Sequence, residues 1–304
     1  MRIYKSTFPS VPTPEESIFT HLFTTTFAQY PSTLPAYTDA ASGFTITRGE
    51  LKQLAFSLGY GLRHELARIG GVSLARNETI MIFSPNSIAW PVMLFGSLAG
   101  GLKTTLANSS YTARELEHQW KDSGAKALFV HPSSLPTVLE MFKSFRVSET
   151  EVKKRVIIAD FGMTKEERAQ VPAGYLTISD LLGKGSLKEE EKFPGKQARE
   201  TAYLCYSSGT TGKPKGVEVR HRDLYPLVPY RMIAQTDNPR KHCRCDQHRP
   251  TSLPRRRSRK RCRSRCSSIL PHLWCRQTPS LPIPPRCASD HHAQIRPCRV
   301  LQEH

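Results

Sequence analysis

A break in composition near residue 240 decides which part of this chain can build a core. Residues 1–239 carry 28 basic and 23 acidic side chains, a net charge of +5. Residues 240–304 carry 16 basic and 3 acidic, a net of +13, and hold seven of the eight cysteines. The second stretch combines high charge with many prolines and shows no amphipathic period. It is expected to be disordered, because it cannot bury enough apolar surface to offset the entropy of ordering. The first stretch has the length of one substantial domain. The formal charge of +18 therefore belongs mainly to the tail and does not by itself mark a nucleic-acid-binding protein.

The first 239 residues alternate strand-like and helix-like segments. Phe44 to Thr47 reads as a small strand before a long helix, Arg48 to Arg68. Glu78 to Ser84 is a short apolar strand, after which Ser87 is placed to cap an apolar helix. Thr112 and Glu115 have the spacing of a capping box, and Gly124 stops the helix that they open. Lys126 to Val130 reads as a strand, Leu135 to Phe145 as a helix, and Arg155 to Asp160 as a strand. Strands separated by helices of this length predict an α/β layered fold with parallel pairing. Residues 183–200, charged and punctuated by glycine, read as a solvated loop.

The N-terminal residues lack the apolar centre of a secretory peptide. The longest apolar run, Ile88 to Leu102, is broken by Pro91, Gly96 and Gly100 and falls short of the roughly 20 residues of a membrane span. It is expected to be a buried helix. Cys205 alone among the first 239 residues fits a reducing compartment.

The chemistry is concentrated after residue 200. Thr201 to Tyr206 (TAYLCY) is β-prone, Ser207 to Gly216 (SSGTTGKPKG) is rich in hydroxyls and glycine, and Val217 to Val219 reads as a return strand. Glycines let backbone N–H groups approach phosphate oxygens, hydroxyls add donors, and a lysine supplies charge. The spacing is not that of a Walker loop. Two residues separate Gly209 from Gly212, and Pro214 rather than a hydroxyl residue follows Lys213.

The segment YSSGTTGKPKG, Tyr206 to Gly216, resembles the phosphate-binding motif of adenylate-forming (AMP-binding) enzymes: acyl-CoA synthetases, 4-coumarate–CoA ligases and luciferases. Ser84 to Ser87 (SPNS) and Asn108 to Val130 resemble the N-terminal lobe of that family, and the whole is similar to fungal 4-coumarate–CoA-ligase-like proteins. The resemblance covers residues 10–224. It implies an incomplete N-terminal lobe, with parallel sheets flanked by helices, over residues 1–239. It also implies ATP-dependent activation of a small carboxylic acid through an acyl-adenylate to a CoA thioester, with ATP, Mg2+ and CoA as the cofactors or co-substrates. Ser207, Ser208, Thr210 and Thr211 would donate to phosphate oxygens, Gly209 and Gly212 would allow close approach, and Lys215 would supply the cation. Lys213 is expected to face solvent and His221 to be structural. No catalytic side chain and no metal ligand is assigned. The family keeps its adenine-binding strand and mobile C-terminal domain beyond residue 224, so the chain as written is expected to be inactive. Neither a membrane span nor a nucleic-acid partner is expected, and the location is expected to be cytoplasmic or peroxisomal.

The tail has two readings. One is a basic, cysteine-rich nucleic-acid-binding arm on a relic scaffold, with Cys243, Cys245, Cys262 and Cys266 as zinc ligands; C-x-C and C-x3-C are poor spacings for that purpose. The other is translation out of frame. Back-translated from the second base of each codon, Ser268 to Leu273 permit Pro-Phe-Tyr-His-Ile-Tyr, and Trp274–Cys275 then force Gly. Asp290 to Leu301 permit Ile-Ile-Met-Pro-Lys-Phe-Asp-Pro-Val-Glu-Phe. Both strings resemble later landmarks of the family, in order, which makes the out-of-frame reading the expected one.

Overall fold

The structure is a computed structural model that describes residues 14–25, 30–169, 171–207 and 213–224. The tail from residue 240, with its expected disorder and proposed zinc ligands, lies outside the described residues.

A helical turn, α1 (Ile18–Thr20), comes first, capped by the Ser17 side chain. A small antiparallel pair follows, β1 (Pro35–Thr38) with β2 (Thr45–Thr47). Thr47 then caps α2 (Arg48–Tyr60) through a reciprocal box with Glu50, and α2 runs on through a wider turn, Gly61–Glu65. The main sheet alternates with helices: β3 (Thr79–Phe83), α3 (Ala89–Ala99), β4 (Lys103–Leu106), α4 (Ala113–Ser123), β5 (Ala125–Val130) and α5 (Leu135–Ser144). After α6 (Glu149–Arg155) come β6 (Val156–Ile158), α7 (Lys165–Ala169), β7 (Leu176–Thr177), α8 (Ile178–Leu181), β8 (Thr201–Ser207) and β9 (Lys215–Arg220). Among the described residues the sheet order is β7-β6-β5-β3-β4-β8-β9, and every neighbouring pair is parallel except the β8–β9 hairpin. Parallel neighbours need crossover connections, which the intervening helices provide.

Strand alternation sorts the core into two layers. Ile80 and Ile82 of β3, Ala127 and Phe129 of β5 and Ile157 of β6 face α2 and α3. Met81 and Phe83, Leu128 and Val130, and Val156 and Ile158 face α4, α5 and α6 on the other side. These are near-continuous apolar strands, as a sheet covered on both faces requires.

Helices α2 and α3 touch at backbone distance. A Cβ on Gly96 would lie 2.8 Å from the Leu58 Cβ, and one on Gly59 would lie 3.0 Å from the Gly96 carbonyl oxygen. The glycines that interrupt the apolar run are thus the contact itself. Ile88–Leu102 is buried helix over most of its length, and no helix of the described residues is long and apolar enough to cross a membrane.

Three expectations need correction. Ser87 does not cap α3: the helix begins after Ile88, and the buried Ser87 hydroxyl has no hydrogen-bond partner among the described residues. Helix α6 was not expected, because seven mostly charged residues with only Val152 buried carry too little period to read. Residues 183–200 are not simply a solvated loop, since Glu190, Phe193 and Ala198 are buried within them. Phe193 forms the centre of that packing, with the Arg76 guanidinium 4.4 Å from its ring. Arg76 in turn pairs with Glu191 at 2.9 Å and Glu200 at 3.0 Å.

Candidate functional site

The strand that leads into the Ser207–Gly216 segment is held on both sides. On one side β8 pairs in parallel with β4, Thr104 with Tyr203, Thr105 with Leu204 and Leu106 with Cys205. On the other it pairs with β9, in a register that runs from Leu204 with Glu218 to Ser207 with Lys215. The return strand is longer than the Val217–Val219 expected, because β8 supplies partners to its polar ends as well. All the parallel strands deliver their carboxyl ends to one edge of the sheet. At that edge Ser84 follows β3, Ala107 follows β4, His131 follows β5, and the segment after Ser207 leaves β8. Ligands of open α/β sheets bind at this edge.

Two of the seven expected phosphate-binding residues, Ser207 and Lys215, are therefore cross-strand partners at the mouth of the turn. Both are exposed, and among the described residues no carboxylate pairs with Lys215. A cation without a carboxylate is available to an anionic ligand. Lys213 is also exposed, as expected. Ser208, Gly209, Thr210, Thr211 and Gly212 lie outside the described residues.

Helix α4 supports the hairpin from beneath. Its apolar face, Leu116 and Trp120, is buried in the sheet, and the Gln119 side-chain amide donates to the Thr105 hydroxyl of β4 at 2.8 Å. From that anchored helix Asp122 accepts the phenol hydrogen of Tyr206 at 2.5 Å. The His118 Nε2 lies 2.9 Å from the Pro214 carbonyl oxygen; since a carbonyl only accepts, that nitrogen carries the hydrogen. Burial and the neighbouring Asp122 carboxylate hold the Tyr206 phenol above its ordinary range, so it remains a donor at neutral pH.

Gly216 faces Tyr206 across the hairpin. A Cβ there would stand 3.0 Å from the Tyr206 ring carbon that bears the hydroxyl and 3.3 Å from Asp122 Oδ2. This last glycine of the motif makes room for a tyrosine–carboxylate contact. Sequence reasoning missed His118, Asp122 and the reason for Gly216. Their only signal was the i, i+4 spacing of two polar residues on a helix already marked by its capping box.

Burial pushes the Cys205 thiol up, away from the thiolate form. Among the described residues no group of three or more His, Cys, Asp or Glu could hold a metal ion. His221 is buried, and its backbone N–H donates to the Glu200 carbonyl at 3.1 Å.

Comparison with known proteins places this geometry in context. The sequence profile of a family described as AMP-binding enzyme matches residues 23–250, and so extends past Leu224, where the motif resemblance ends. A long-chain-fatty-acid–CoA ligase of Yersinia pestis is 31% identical over 171 residues, covering 51% of this chain and 29% of that protein. The 4-coumarate–CoA ligase-like 3 protein of Oryza sativa subsp. japonica is 30% identical over 237 residues, covering 74% of this chain and 36% of its own. The chain thus spans about a third of the length of these relatives. Among solved structures, a long-chain-fatty-acid-CoA ligase from Archaeoglobus fulgidus superposes with a TM-score of 0.58 at 23% identity, over 76% of this chain and 42% of that one. A red-emitting luciferase from Phrixothrix hirtus gives 0.55 at 22% identity, over 72% and 38%. At such identities the likeness speaks for the fold.

Proposed function

The chain belongs to the AMP-binding enzyme family, and from that premise we propose that its β8–β9 hairpin holds the polyphosphate of ATP for activation of a carboxylic acid. The observation that carries this reading is the register of Ser207 with Lys215, which sets a hydroxyl and a cation, without a carboxylate partner among the described residues, at one loop mouth. Ser208, Gly209, Thr210, Thr211 and Gly212 complete the donor set, with Mg2+ accompanying ATP. In the reaction a carboxylate oxygen attacks the α-phosphorus, the bond to pyrophosphate breaks, and an acyl-adenylate forms. The sulfur of CoA then attacks the acyl carbon and AMP leaves. The hairpin's contribution is electrostatic, since donors and a cation aimed at the departing pyrophosphate stabilise charge where it develops.

The family match and the CoA-ligase names of the relatives support an AMP-forming acid–CoA ligase over a basic nucleic-acid-binding protein. We read residues 240–304 as the out-of-frame continuation of that ligase. The test has two arms. Isothermal titration of the 304-residue chain with ATP and with pyrophosphate should show saturable binding that Lys215→Ala weakens. ATP–pyrophosphate exchange, with aryl and fatty acids as substrates, should appear in the form whose tail is translated from the second base. No binding in the first arm together with no exchange in the second, from soluble protein, overturns the reading.

A further inference from the structure

We infer that Asp122 and His118, one helical turn apart on α4, are positioning residues for the phosphate-holding hairpin: they fix both of its shoulders to the sheet. This rests on the proposed function for what the hairpin holds, and on geometry alone for how it is held. Tyr206 is the last residue but one of β8, and Asp122 accepts its phenol hydrogen at 2.5 Å. Pro214 immediately precedes β9, and its carbonyl receives the His118 Nε2–H at 2.9 Å. One helix therefore grips the residue before Ser207 and the residue before Lys215, the two described ends of the motif. The His118 and Tyr206 rings also meet edge to face, with centroids 6.3 Å apart.

The helix can act as an anchor because it is itself anchored. Gln119 donates to Thr105 on β4, the strand to which β8 is paired, and Leu116 and Trp120 are buried beside it. Force on the hairpin is thus met by β4 directly and through α4. The strand residues alone would not achieve this, because β9 is exposed along most of its length and, among the described strands, pairs with β8 alone. A short-lived hairpin mouth would leave Lys215 and the hydroxyls to be ordered at each binding event. A hairpin held in place has met that entropy cost on folding, which is how supporting residues raise affinity without touching a ligand. Gly216 belongs to the same arrangement, because a Cβ there would stand 3.1 Å from the Tyr206 hydroxyl and 3.3 Å from Asp122 Oδ2, crowding the contact between them.

The experiment compares Tyr206→Phe, Asp122→Ala, Asp122→Asn, His118→Ala and the Tyr206→Phe/Asp122→Ala pair in the full chain. Two readouts are used: amide hydrogen exchange of peptides covering β8 and β9, and pyrophosphate affinity by titration. Tyr206→Phe removes one oxygen and guards against a merely unfolded Asp122→Ala. Exchange should rise in β8 and β9 but not in β3 and β5. Affinity should fall roughly tenfold, the scale of one hydrogen bond to a charged group. The double variant should be no weaker than either single, since both remove one interaction. Asp122→Asn, which keeps an acceptor oxygen, should restore most of the affinity. Unchanged hairpin exchange, or raised exchange with unchanged affinity in a protein that binds pyrophosphate, overturns the positioning role. If the parent chain binds neither ATP nor pyrophosphate and the form with the reframed tail shows no ATP–pyrophosphate exchange, yet hairpin hydrogen exchange responds as stated, the polyphosphate reading falls while the clamp stands.

Discussion

His221 stacks on the ring of Phe193 at 30°, with centroids 4.2 Å apart, and its Nδ1 accepts the backbone N–H of Ile18 at 3.3 Å. An accepting Nδ1 requires the neutral ring, with the hydrogen on Nε2. Burial, followed by the nearby Arg76 charge, pushes the pKa of His221 down to about 4 from an ordinary 6.5. One contact thereby joins the start of the described chain, the 183–200 segment and the residue that follows β9.

The sign of the resulting pH dependence is fixed by which state binds the proton. Between pH 6.5 and pH 4 the unfolded chain protonates His221 while the folded chain does not. Stability from this residue is complete above pH 6.5 and falls as pH drops towards 4, by roughly 3 kcal/mol in all. Urea unfolding of the parent and of His221→Gln at pH 7, 5.5 and 4.5 should show the two stabilities converging as pH falls. Carboxylates titrate in both proteins, so the difference isolates the histidine; parallel curves would refute the assignment.

Lys215 and Lys213 should separate cleanly in binding. Lys215 is the cross-strand partner of Ser207, whereas Lys213 stands outside the paired strand and faces solvent. Lys215→Ala is expected to weaken pyrophosphate binding about 10- to 100-fold, as loss of a charge-assisted contact does. Lys213→Ala should change it by no more than about twofold, its charge being screened by solvent. Equal losses from the two would mean that net charge rather than position controls the affinity.

Gly96→Ala tests the contact between α2 and α3. The added methyl would fall 2.7–2.9 Å from three atoms of the Leu58 side chain, itself fully buried. Overpacking of this kind costs typically 1–3 kcal/mol, although alanine is the better helix former. A thermal melt showing Gly96→Ala at or above the parent Tm would show that the helices can move apart freely.

A contrast between two hydroxyl residues gives a finer test. Thr112 is held reciprocally: its side chain accepts the Glu115 backbone N–H, while the Glu115 carboxylate accepts the Thr112 backbone N–H at 2.9 Å. Thr112→Ala should cost about 1 kcal/mol. Ser87→Ala should be neutral or stabilising, because its buried hydroxyl makes no hydrogen bond among the described residues. Chemical denaturation midpoints would reveal a reversal of that order.

The same pair marks how far local sequence signals reach. The Thr112 box, the Gly124 stop with its φ of 63°, and the β3 and β5 strands were legible because neighbouring residues decide them. Ser87 was misread because the chain enters α3 one residue later, where packing rather than capping sets the start. The packing of Phe193 within the 183–200 segment carried no local signal, since its partners Arg76 and His221 come from distant parts of the sequence. At the site, Ser207 and Lys215 were legible from the motif. Asp122 and His118 were not, because they lie 84 and 96 positions from the residues they hold.

The place of β8 in the sheet also sets the order in which the molecule can be assembled. β3, β4 and β5 pair across short connections, so their loop-closure entropy is modest. Joining Thr104 to Tyr203 requires β5, β6 and β7 to be accommodated first or bypassed. Non-local parallel pairing is slow for this reason. During synthesis the hairpin can form from its own neighbours, yet it has no berth until β4 is in place beside β3. The strand leading to the Ser207–Gly216 segment thus depends on a pairing between residues about a hundred positions apart. Any ligand that recognises it selects chains whose sheet is finished and, by mass action, keeps them so.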